Sequence, residues 1–462
     1  MMRSLSLAEV SEVCAASWHG HDSFSAHAET PIKRVSTNSK AILPGDLFVA
    51  LVGERFDGHA FLAEVEKNHA VAAIVSTIDT AITLPQLKVE NTEVALGNIG
   101  AFNRSLFNGK VFGITGSNGK TTVKNMLAAI LVEQGAVLAT AGNLNNFIGV
   151  PLTLLELSDE HQFAVVEMGA NAAGEIAYLA DRVKPDIALV TNVSTAHIGG
   201  FGTIETTAAT KFAIYQSLGG DGIAVLNRDE VYFEEWQERL TGLSHFTFSL
   251  SDQNADVFAT AITINDKGCC GFTLSLRGIA MDIQLNLLGL HNVANALAAA
   301  AMASAAGVDA EKIRAGLEKV RPAKGRMQPV DAIFSGVLID DSYNASPASV
   351  LKAIDVLSEL SGNRYMVLGD MAELGDDSVL LHEQVGHYCR EKGIEKLFAC
   401  GTMTENSVRV FGEGAQHFSD KKTLCQALLS EVDAASVLLV KGSRSSAMDE
   451  VVASLQKRKG GR

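Results

Sequence analysis

A glycine-rich turn constrains the fold of this chain more than any other feature. The segment GITGSNGKTT, residues 113–122, joins an apolar β-like stretch, Lys110–Thr115, to a stretch of helical periodicity from about Lys120 to Glu133. Glycines allow a tight backbone whose N–H groups point inward, and the start of a helix adds partial positive charge. This context predicts a phosphate-binding loop (P-loop), although Ile114 stands where the strict motif has glycine.

The loop predicts a nucleotide site, in which Lys120 reaches the β- and γ-phosphates and the Thr121 hydroxyl ligates Mg²⁺. The alternative is a glycine-rich strand-to-helix turn that carries a solvated lysine. The residues predicted to contact the nucleotide here are Gly116, Ser117, Asn118, Gly119, Lys120, Thr121 and Thr122. A P-loop alone does not choose among switch proteins, ATPases, kinases and ligases.

Alternating strand and helix patterns predict an α/β protein of three domains. Residues 1–107 read as a small mixed α/β domain. Residues 108–323 read as a P-loop domain built on a parallel sheet, with further strands at 162–168 and 186–192. Residues 324–462 read as a Rossmann-like domain with strands at 336–340, 364–368, 397–400 and 436–440. This last domain lacks G-x-G-x-x-G after its first strand, so nicotinamide binding is not indicated.

Composition narrows the class of protein. A formal charge of −15 over 462 residues argues against nucleic-acid binding as the main activity. Six scattered cysteines indicate a reducing compartment. Residues 1–18 carry Glu9 and Glu12 where a signal peptide needs an apolar core, and His291, Asn292 and Asn295 interrupt the apolar window 287–308. We therefore expect a cytoplasmic protein without a membrane partner.

Several polar residues stand where a protein core would not favour them. Glu167 ends an apolar strand, where binding of Mg²⁺ would explain a carboxylate. Asn292 and Asn295 lie in an alanine-rich stretch, which supports a ligand or a capping role. His197 follows the next strand and is either a metal ligand or a structural histidine. Lys211, taken by itself, reads as a solvated helix lysine.

Several separate segments together resemble the Mur ligases, which build the peptide stem of bacterial cell-wall precursors. The resemblance covers essentially the whole chain and is strongest to the members that add D-alanyl-D-alanine. The segments are STNSK at 36–40, NNFIGVP at 145–151, EMGAN at 167–171, GLHNVANA at 289–296, GR at 325–326, DDSYNASP at 340–347, LGDMAELG at 368–375 and VKGSRS at 440–445.

The resemblance implies roles for individual residues. Thr121, Glu167, His197 and a carbamylated Lys211 would hold two Mg²⁺ ions, Arg326 would steady the ATP phosphates, and Asp340 would contact the ribose. Adenine would be recognised by Asn292 and Asn295. The substrate would be bound by Ser36, Thr37, Asn38, Asn145, Asn146, Tyr343 and Asn344. Relatives often carry glutamate where this chain has Ala213, two residues after Lys211.

The implied reaction is ATP-dependent formation of an amide bond in peptidoglycan precursor synthesis. Lys120, Lys211, Arg326, His197 and Glu167 would be its catalytic residues, acting in a single chain. ATP would convert the carboxylate of UDP-N-acetylmuramoyl-tripeptide to an acyl phosphate, which the amine of D-alanyl-D-alanine attacks. The alternatives are another ligase of this superfamily, such as folylpolyglutamate synthase or the ligase for the third stem residue, and a nucleotide-switched binding protein.

Overall fold

Three large β-sheets organise the computed structural model, one in each of three consecutive stretches of chain. The structure describes residues 3–20, 22–53, 56–194, 203–265 and 268–457. Each of these sheets draws its strands from one of the three ranges predicted above. The α/β class and the three-sheet architecture are therefore confirmed, whereas the residue boundaries of the domains stay predictions.

The N-terminal stretch forms a five-stranded sheet of order β2-β9-β8-β5-β4, in which only β2 runs antiparallel to its neighbour. Its strands and those of two separate two-stranded antiparallel pairs, β1-β3 and β6-β7, are β1 (Leu5–Ser6), β2 (Ser17–His19), β3 (Pro31–Ile32), β4 (Arg34–Ser36), β5 (Asp46–Val49), β6 (Val52–Gly53), β7 (Phe56–Asp57), β8 (Ala72–Val75) and β9 (Gln86–Lys88). Its helices are α1 (Leu7–Val13), α2 (Phe24–His27), α3 (Leu62–Lys67) and α4 (Thr92–Ser105).

The central stretch forms a nine-stranded sheet of order β11-β12-β10-β13-β14-β15-β16-β17-β18. Its strands are β10 (Lys110–Thr115), β11 (Val137–Ala139), β12 (Phe163–Glu167), β13 (Ile187–Val190), β14 (Ile223–Asn227), β15 (Ser244–Ser249), β16 (Val257–Ile264), β17 (Cys269–Leu276) and β18 (Ile279–Leu288). Its helices are α5 (Lys120–Val132), α6 (Gly149–Leu155), α7 (Glu175–Val183), α8 (Ile204–Gln216), α9 (Phe233–Arg239), α10 (His291–Ala305) and α11 (Ala310–Lys319).

The central sheet is parallel from β11 to β16 but ends in an antiparallel extension, β16-β17-β18. The prediction of a parallel sheet therefore holds for seven of its nine strands and fails for β17 and β18. Buried and exposed residues alternate along most of β18, which fits a strand with one face on the core and one in water.

The C-terminal stretch forms a six-stranded sheet of order β19-β20-β24-β21-β22-β23, parallel except at β19. Its strands are β19 (Gln328–Val330), β20 (Val337–Asp341), β21 (Asn363–Gly369), β22 (Lys396–Cys400), β23 (Ala415–Phe418) and β24 (Ser436–Lys441). Its helices are α12 (Pro347–Glu359), α13 (Ser378–Glu391), α14 (Thr404–Phe411), α15 (Lys421–Glu431) and α16 (Asp449–Leu455). The sequence patterns predicted the four strands β20, β21, β22 and β24 but missed β19, α14 and β23.

The alanine-rich window is a buried helix, as predicted. Helix α10 packs against α5 and against several strands of the central sheet, and its small side chains allow close contact on most of its surface. Among the described residues, no helix is both long and apolar enough to cross a membrane.

Candidate active site

The predicted P-loop follows β10 and leads directly into α5, and at two of its glycines a side chain would force a neighbouring group to shift. Gly119 precedes the helix with φ of +82°, in the left-handed region, and a Cβ there would clash with Oδ1 of Asn295. Gly116 has φ of +147°, and a Cβ there would clash with the Thr191 hydroxyl. The turn is therefore shaped by backbone conformation and by close packing together.

Residues that follow β13 hold this turn in place. The Ser117 amide donates to the Asn192 carbonyl at 2.9 Å, and the Asn118 amide donates to Asn192 Oδ1 at 3.0 Å. The Thr191 hydroxyl and the Asn192 amide group both donate to the Asn118 carbonyl, at 2.6 and 3.0 Å. The first N–H groups of α5 have no partner within the helix, so they are available to an anion at its start.

Lys120 folds back over the loop. Its Nζ donates to the carbonyls of Gly116 at 2.6 Å and Ser117 at 3.1 Å. Burial lowers the pKa of Lys120, the negative charge of Glu167 opposes that shift, and the positive charge of Arg326 adds to it. The ammonium group therefore lies within the electrostatic influence of one carboxylate and one guanidinium.

Glu167 lies at the end of β12, beside Ile114 of β10. Its Oε1 accepts from the Thr121 hydroxyl at 3.2 Å and from the Asn145 amide at 2.9 Å. Its Oε2 is buried and accepts no hydrogen bond, and the nearest cation is Lys124 Nζ at 3.9 Å. A buried carboxylate oxygen without a donor, next to a hydroxyl, fits a hard cation such as Mg²⁺.

Lys211 is buried on α8, with 3% of its surface exposed, so it is not the solvated lysine of the simplest interpretation. Burial lowers the pKa of Lys211 to about 7, and the positive charge of Lys120 adds to the shift. His197 lies outside the described residues. Among the described residues, no group of three or more histidine, cysteine, aspartate and glutamate side chains is arranged to hold a metal.

Arg326 approaches the P-loop from the segment that links the central and C-terminal sheets. Its guanidinium carbon lies 4.3 Å from the centre of the Tyr343 ring, a cation–π distance. Within the described part of the chain its guanidinium makes no hydrogen bond or ion pair to a protein group. The five donors of this side chain are therefore available to a phosphate.

One cavity of about 980 Å³ connects the P-loop, Glu167 and Arg326, whereas Lys211 lines neither this cavity nor the second one described below. Its walls come from the P-loop, from the ends of β12 and β13, from the start of α10, from the linker at 320–327 and from the C-terminal sheet. The predicted residues that line it are Ser117, Asn118, Gly119, Lys120, Thr121, Thr122, Asn145, Asn146, Glu167, Asn292, Asn295, Arg326, Tyr343 and Asn344. A second cavity of about 900 Å³ adjoins it on the C-terminal side.

Comparison with known proteins agrees with this arrangement. Residues 114–303 match the Mur ligase middle domain, and residues 325–444 match the family described as "Mur ligase, glutamate ligase domain". The UDP-N-acetylmuramoyl-tripeptide–D-alanyl-D-alanine ligase of Escherichia coli K12 is 40% identical over 458 residues, which cover 98% of this chain and 99% of the relative. The chain belongs to the Mur ligase family.

Solved structures of Mur ligases have the same overall fold. MurF from Acinetobacter baumannii superposes with a TM-score of 0.92 at 35% identity, covering 98% of this chain and 99% of that one. MurF from Thermotoga maritima in complex with ADP has a TM-score of 0.81 at 27% identity, covering 91% and 96%. Membership of the family confirms the predicted class, an ATP-dependent ligase that forms amide bonds.

The residues predicted to contact adenine and ribose in this Mur ligase make hydrogen bonds to other protein groups. Asn292 donates to the Leu288 carbonyl at 2.8 Å and accepts from Asn295 at 2.9 Å. Asn295 in turn packs on Gly119, so this pair braces the P-loop. Asp340 lines only the second cavity, where its Oδ1 accepts from the Ser342 hydroxyl at 2.6 Å. The predicted contacts with adenine and ribose stay predictions.

The remaining predicted substrate contacts lie partly outside the cavity. Ser36 accepts from the Asn38 amide at 3.2 Å within its own turn, and Asn38 is exposed on the N-terminal domain. Neither these two residues nor Thr37 lines the two cavities. In contrast, Asn146 lines the first cavity and caps α6 by accepting from the Gly149 amide at 2.9 Å.

Sequence reasoning missed three charged residues of this Mur ligase site. Lys124 is buried one turn after Lys120 and donates to the Thr140 carbonyl at 2.6 Å. Asp341 lines the first cavity, where its neighbour Asp340 was expected, and Lys441 pairs with it at 2.7 Å. Their positions in the sequence pattern could have indicated these three residues, because each lies on the buried side of a predicted helix or at the end of a predicted strand.

Proposed function

We propose that this chain joins D-alanyl-D-alanine to the terminal carboxylate of UDP-N-acetylmuramoyl-tripeptide, using ATP, to make the pentapeptide precursor of peptidoglycan in the cytoplasm. One observation carries the proposal. The P-loop, Glu167 and Arg326 line a single cavity in a chain that is 40% identical, over nearly its full length, to a relative named for this reaction.

The chemistry requires activation of a carboxylate, which is anionic and has no good leaving group. A carboxylate oxygen attacks the γ-phosphorus of ATP, ADP leaves, and an acyl phosphate results. The neutral amine of the dipeptide then adds to the acyl carbon and loses a proton to solvent, and the tetrahedral intermediate expels phosphate. The products are the amide, ADP and phosphate.

The chain supplies charge neutralisation and alignment for these steps. Lys120 exchanges the carbonyls of Gly116 and Ser117 for phosphate oxygens, and Arg326 contributes its guanidinium donors from the linker between the two domains. Glu167 and Thr121 would hold Mg²⁺, which would supply positive charge to the transferring phosphoryl group. The tripeptide carboxylate enters this cluster of positive charge.

Carbamylation of Lys211 is part of the same proposal. The neutral amine of Lys211 adds to CO₂ and releases a proton, which yields a carbamate anion in place of a cation. A pKa of about 7 leaves much of the amine neutral near neutral pH. The carbamate and His197 would then complete the ligands of a second Mg²⁺. Addition of ¹³C-bicarbonate should give a carbonyl NMR resonance that is absent in Lys211→Gln, and its absence from the unaltered chain would contradict this part.

The flanking domains bind the two substrates. The stretch 1–107 holds the UDP part through Ser36, Thr37 and Asn38, with Asn145 and Asn146 at the sugar. The stretch 324–462 receives the dipeptide, with Tyr343 and Asn344 at the cleft. An Asn38→Ala variant should raise KM for the UDP substrate and leave kcat nearly unchanged, because this exposed side chain lies outside the cavity that contains the P-loop.

A coupled phosphate-release assay tests the reaction. With ATP and UDP-N-acetylmuramoyl-tripeptide present, phosphate release should require D-alanyl-D-alanine and should not respond to free glutamate or diaminopimelate. A response to either of those amino acids would favour the other ligases of the superfamily. Slow phosphate release that is indifferent to all three amines would indicate a nucleotide-switched binding protein instead.

A further inference from the structure

Lys441 is a buried lysine that the ligase mechanism above leaves without a role. It ends β24, directly beside Asp341 at the end of β20, and only 4% of its side chain is exposed. Its Nζ donates to Asp341 Oδ2 at 2.7 Å and to the Asn344 carbonyl at 2.8 Å. A buried charge is costly unless it is paired and hydrogen-bonded, and here both conditions are met.

The first of these bonds reaches the interdomain linker. The other oxygen of the same carboxylate, Asp341 Oδ1, accepts from the Met327 amide at 3.0 Å. Met327 directly follows Arg326 and has φ of +48°, in the left-handed region that a non-glycine residue rarely adopts. The Lys441–Asp341 pair therefore fixes the backbone on the C-terminal side of Arg326.

The second bond reaches the residue on which Arg326 stacks. The Asn344 carbonyl belongs to the turn that follows β20, and this turn also carries Tyr343. The Tyr343 amide donates to the Gly325 carbonyl at 3.0 Å, and the Tyr343 ring lies 4.3 Å from the Arg326 guanidinium carbon. One ammonium group thus restrains both the linker backbone and the ring beneath the guanidinium.

We propose that Lys441 is a positioning residue for nucleotide binding and phosphoryl transfer, which acts through Asp341 and the 341–344 turn to aim Arg326 at the P-loop. The inference rests on the proposed function for the role of Arg326. The guanidinium has no protein hydrogen-bond partner among the described residues. The linker backbone at Met327 and the ring of Tyr343 therefore determine where its donors point. Without Lys441, Arg326 remains in the site, but its guanidinium is no longer held in the orientation that directs its donors to the P-loop.

A double-mutant cycle tests the inference. The variants are Lys441→Met, Arg326→Ala and the double variant, and calorimetry measures the affinity of each for the β,γ-methylene analogue of ATP with Mg²⁺. We expect Lys441→Met to lower the affinity for the ATP analogue roughly tenfold when Arg326 is present. When Arg326 is already alanine, the same substitution should lower the affinity by no more than about twofold. The kcat for phosphate release should show the same non-additivity.

A purely structural role predicts a different pattern. In that case Lys441→Met would weaken binding by the same factor in both backgrounds, and the inference would be wrong. Unchanged affinity in the single variant would also overturn it. The matched control is Lys421→Met, which removes a lysine that pairs with Glu450 at 3.1 Å elsewhere in the C-terminal domain and should change affinity by less than about twofold.

Two further measures keep the test interpretable. If Lys441→Met does not fold, Lys441→Met with Asp341→Asn replaces it in the cycle, because removing both charges leaves no unpaired buried carboxylate. Calorimetry measures nucleotide binding without an acceptor amine, so its result does not depend on whether the ligase reaction takes place. Failure of the proposed function would appear in the unaltered chain, as phosphate release that does not depend on D-alanyl-D-alanine.

Discussion

At the scale of single residues, the site concentrates positive charge in a chain whose formal net charge is −15. The charges of Glu167 and Arg326 act on both Lys120 and Lys124, and the charge of Lys120 acts on Lys211. Around the P-loop, the carboxylate of Glu167 thus acts on Lys120 and Lys124 together with Arg326, whereas Asp341 and the other carboxylates of the cavity lie elsewhere on its walls. Such an excess of cations is unfavourable without an anion, and a nucleotide polyphosphate supplies one.

The first prediction concerns Lys120. Lys120→Ala should lower the rate of phosphate release at least about a hundredfold, because it removes the cation nearest the transferring phosphate. The melting temperature should stay close to that of the unaltered chain, since Lys120 bonds only to carbonyls of its own loop. The control is Lys319→Ala, an exposed lysine paired with Glu133 at 2.7 Å. Near-normal turnover in Lys120→Ala would remove the P-loop lysine from the mechanism.

Site residues could be predicted from the sequence where a local pattern of strand, turn and helix determines where the side chain lies. The strand, turn and helix around Lys120 read directly from the sequence, and Glu167 was found because an acidic residue ends an apolar strand. Asp340 and Asp341 show the limit of this reasoning. Adjacent residues at a strand end point to opposite sides, and only the register with β24 determines that Asp341 reaches Lys441 and the first cavity.

At the scale of elements, the start of α5 depends on contact between Gly119 and α10. Gly119→Ala should weaken nucleotide binding at least about tenfold, because the added methyl group must displace Asn295 and with it the turn. The matched control is Gly307→Ala. Gly307 has φ of +81°, close to the +82° of Gly119, but open space around its Cβ position.

The control separates backbone strain from crowding. Both substitutions place alanine in the left-handed region, so both should lower the free energy of unfolding by about 1 kcal/mol. Only Gly119→Ala should change the affinity for the ATP analogue, as measured by calorimetry. Equal loss of affinity in the two variants would show that the contact with Asn295 does not matter.

The start of α10 carries a second testable feature, His291. Burial lowers the pKa of His291 to about 4, and the positive charges of Lys352 and Lys441 add to the shift. Its ordinary value is 6.5. As the pH falls from 6.5 towards 4, the unfolded chain therefore binds a proton that the folded chain does not, and stability is lost.

Urea unfolding at pH 7 and pH 5 measures this effect. The free energy of unfolding of the unaltered chain should fall by about 1–2 kcal/mol more than that of His291→Gln over this interval. The reason is that glutamine does not titrate, so the variant keeps only the contributions of the other groups. Identical pH dependence in the two proteins would contradict the lowered pKa.

The elements that sequence reasoning missed share one physical cause. Short apolar, β-branched runs predicted the buried parallel strands, because those strands contact the core on both faces. In the antiparallel extension β17-β18, strand β18 instead alternates buried and exposed residues, and its pairing depends on a hairpin whose register shifts within the strands. Short edge elements such as β23 depend on tertiary contacts that no local pattern records.

At the scale of the whole molecule, the first cavity has one wall on the central domain and another on the C-terminal sheet. The P-loop and Glu167 belong to the first wall, whereas Tyr343 and Lys441 belong to the second, with Arg326 on the linker between them. Ligands that contact both walls favour the conformation in which the walls approach each other.

The last prediction is that this cavity closes on its substrates. X-ray scattering should show a smaller radius of gyration when the ATP analogue with Mg²⁺ and UDP-N-acetylmuramoyl-tripeptide are both bound, and a smaller change or none with either alone. The reason is that only the full set of ligands bridges the P-loop and the C-terminal wall. Arg326→Ala should reduce the compaction at saturating ligand, since it removes the side chain nearest to both walls. A radius that stays constant with all ligands bound would mean that the reaction proceeds in the cavity as it stands, with Arg326 already in its working position.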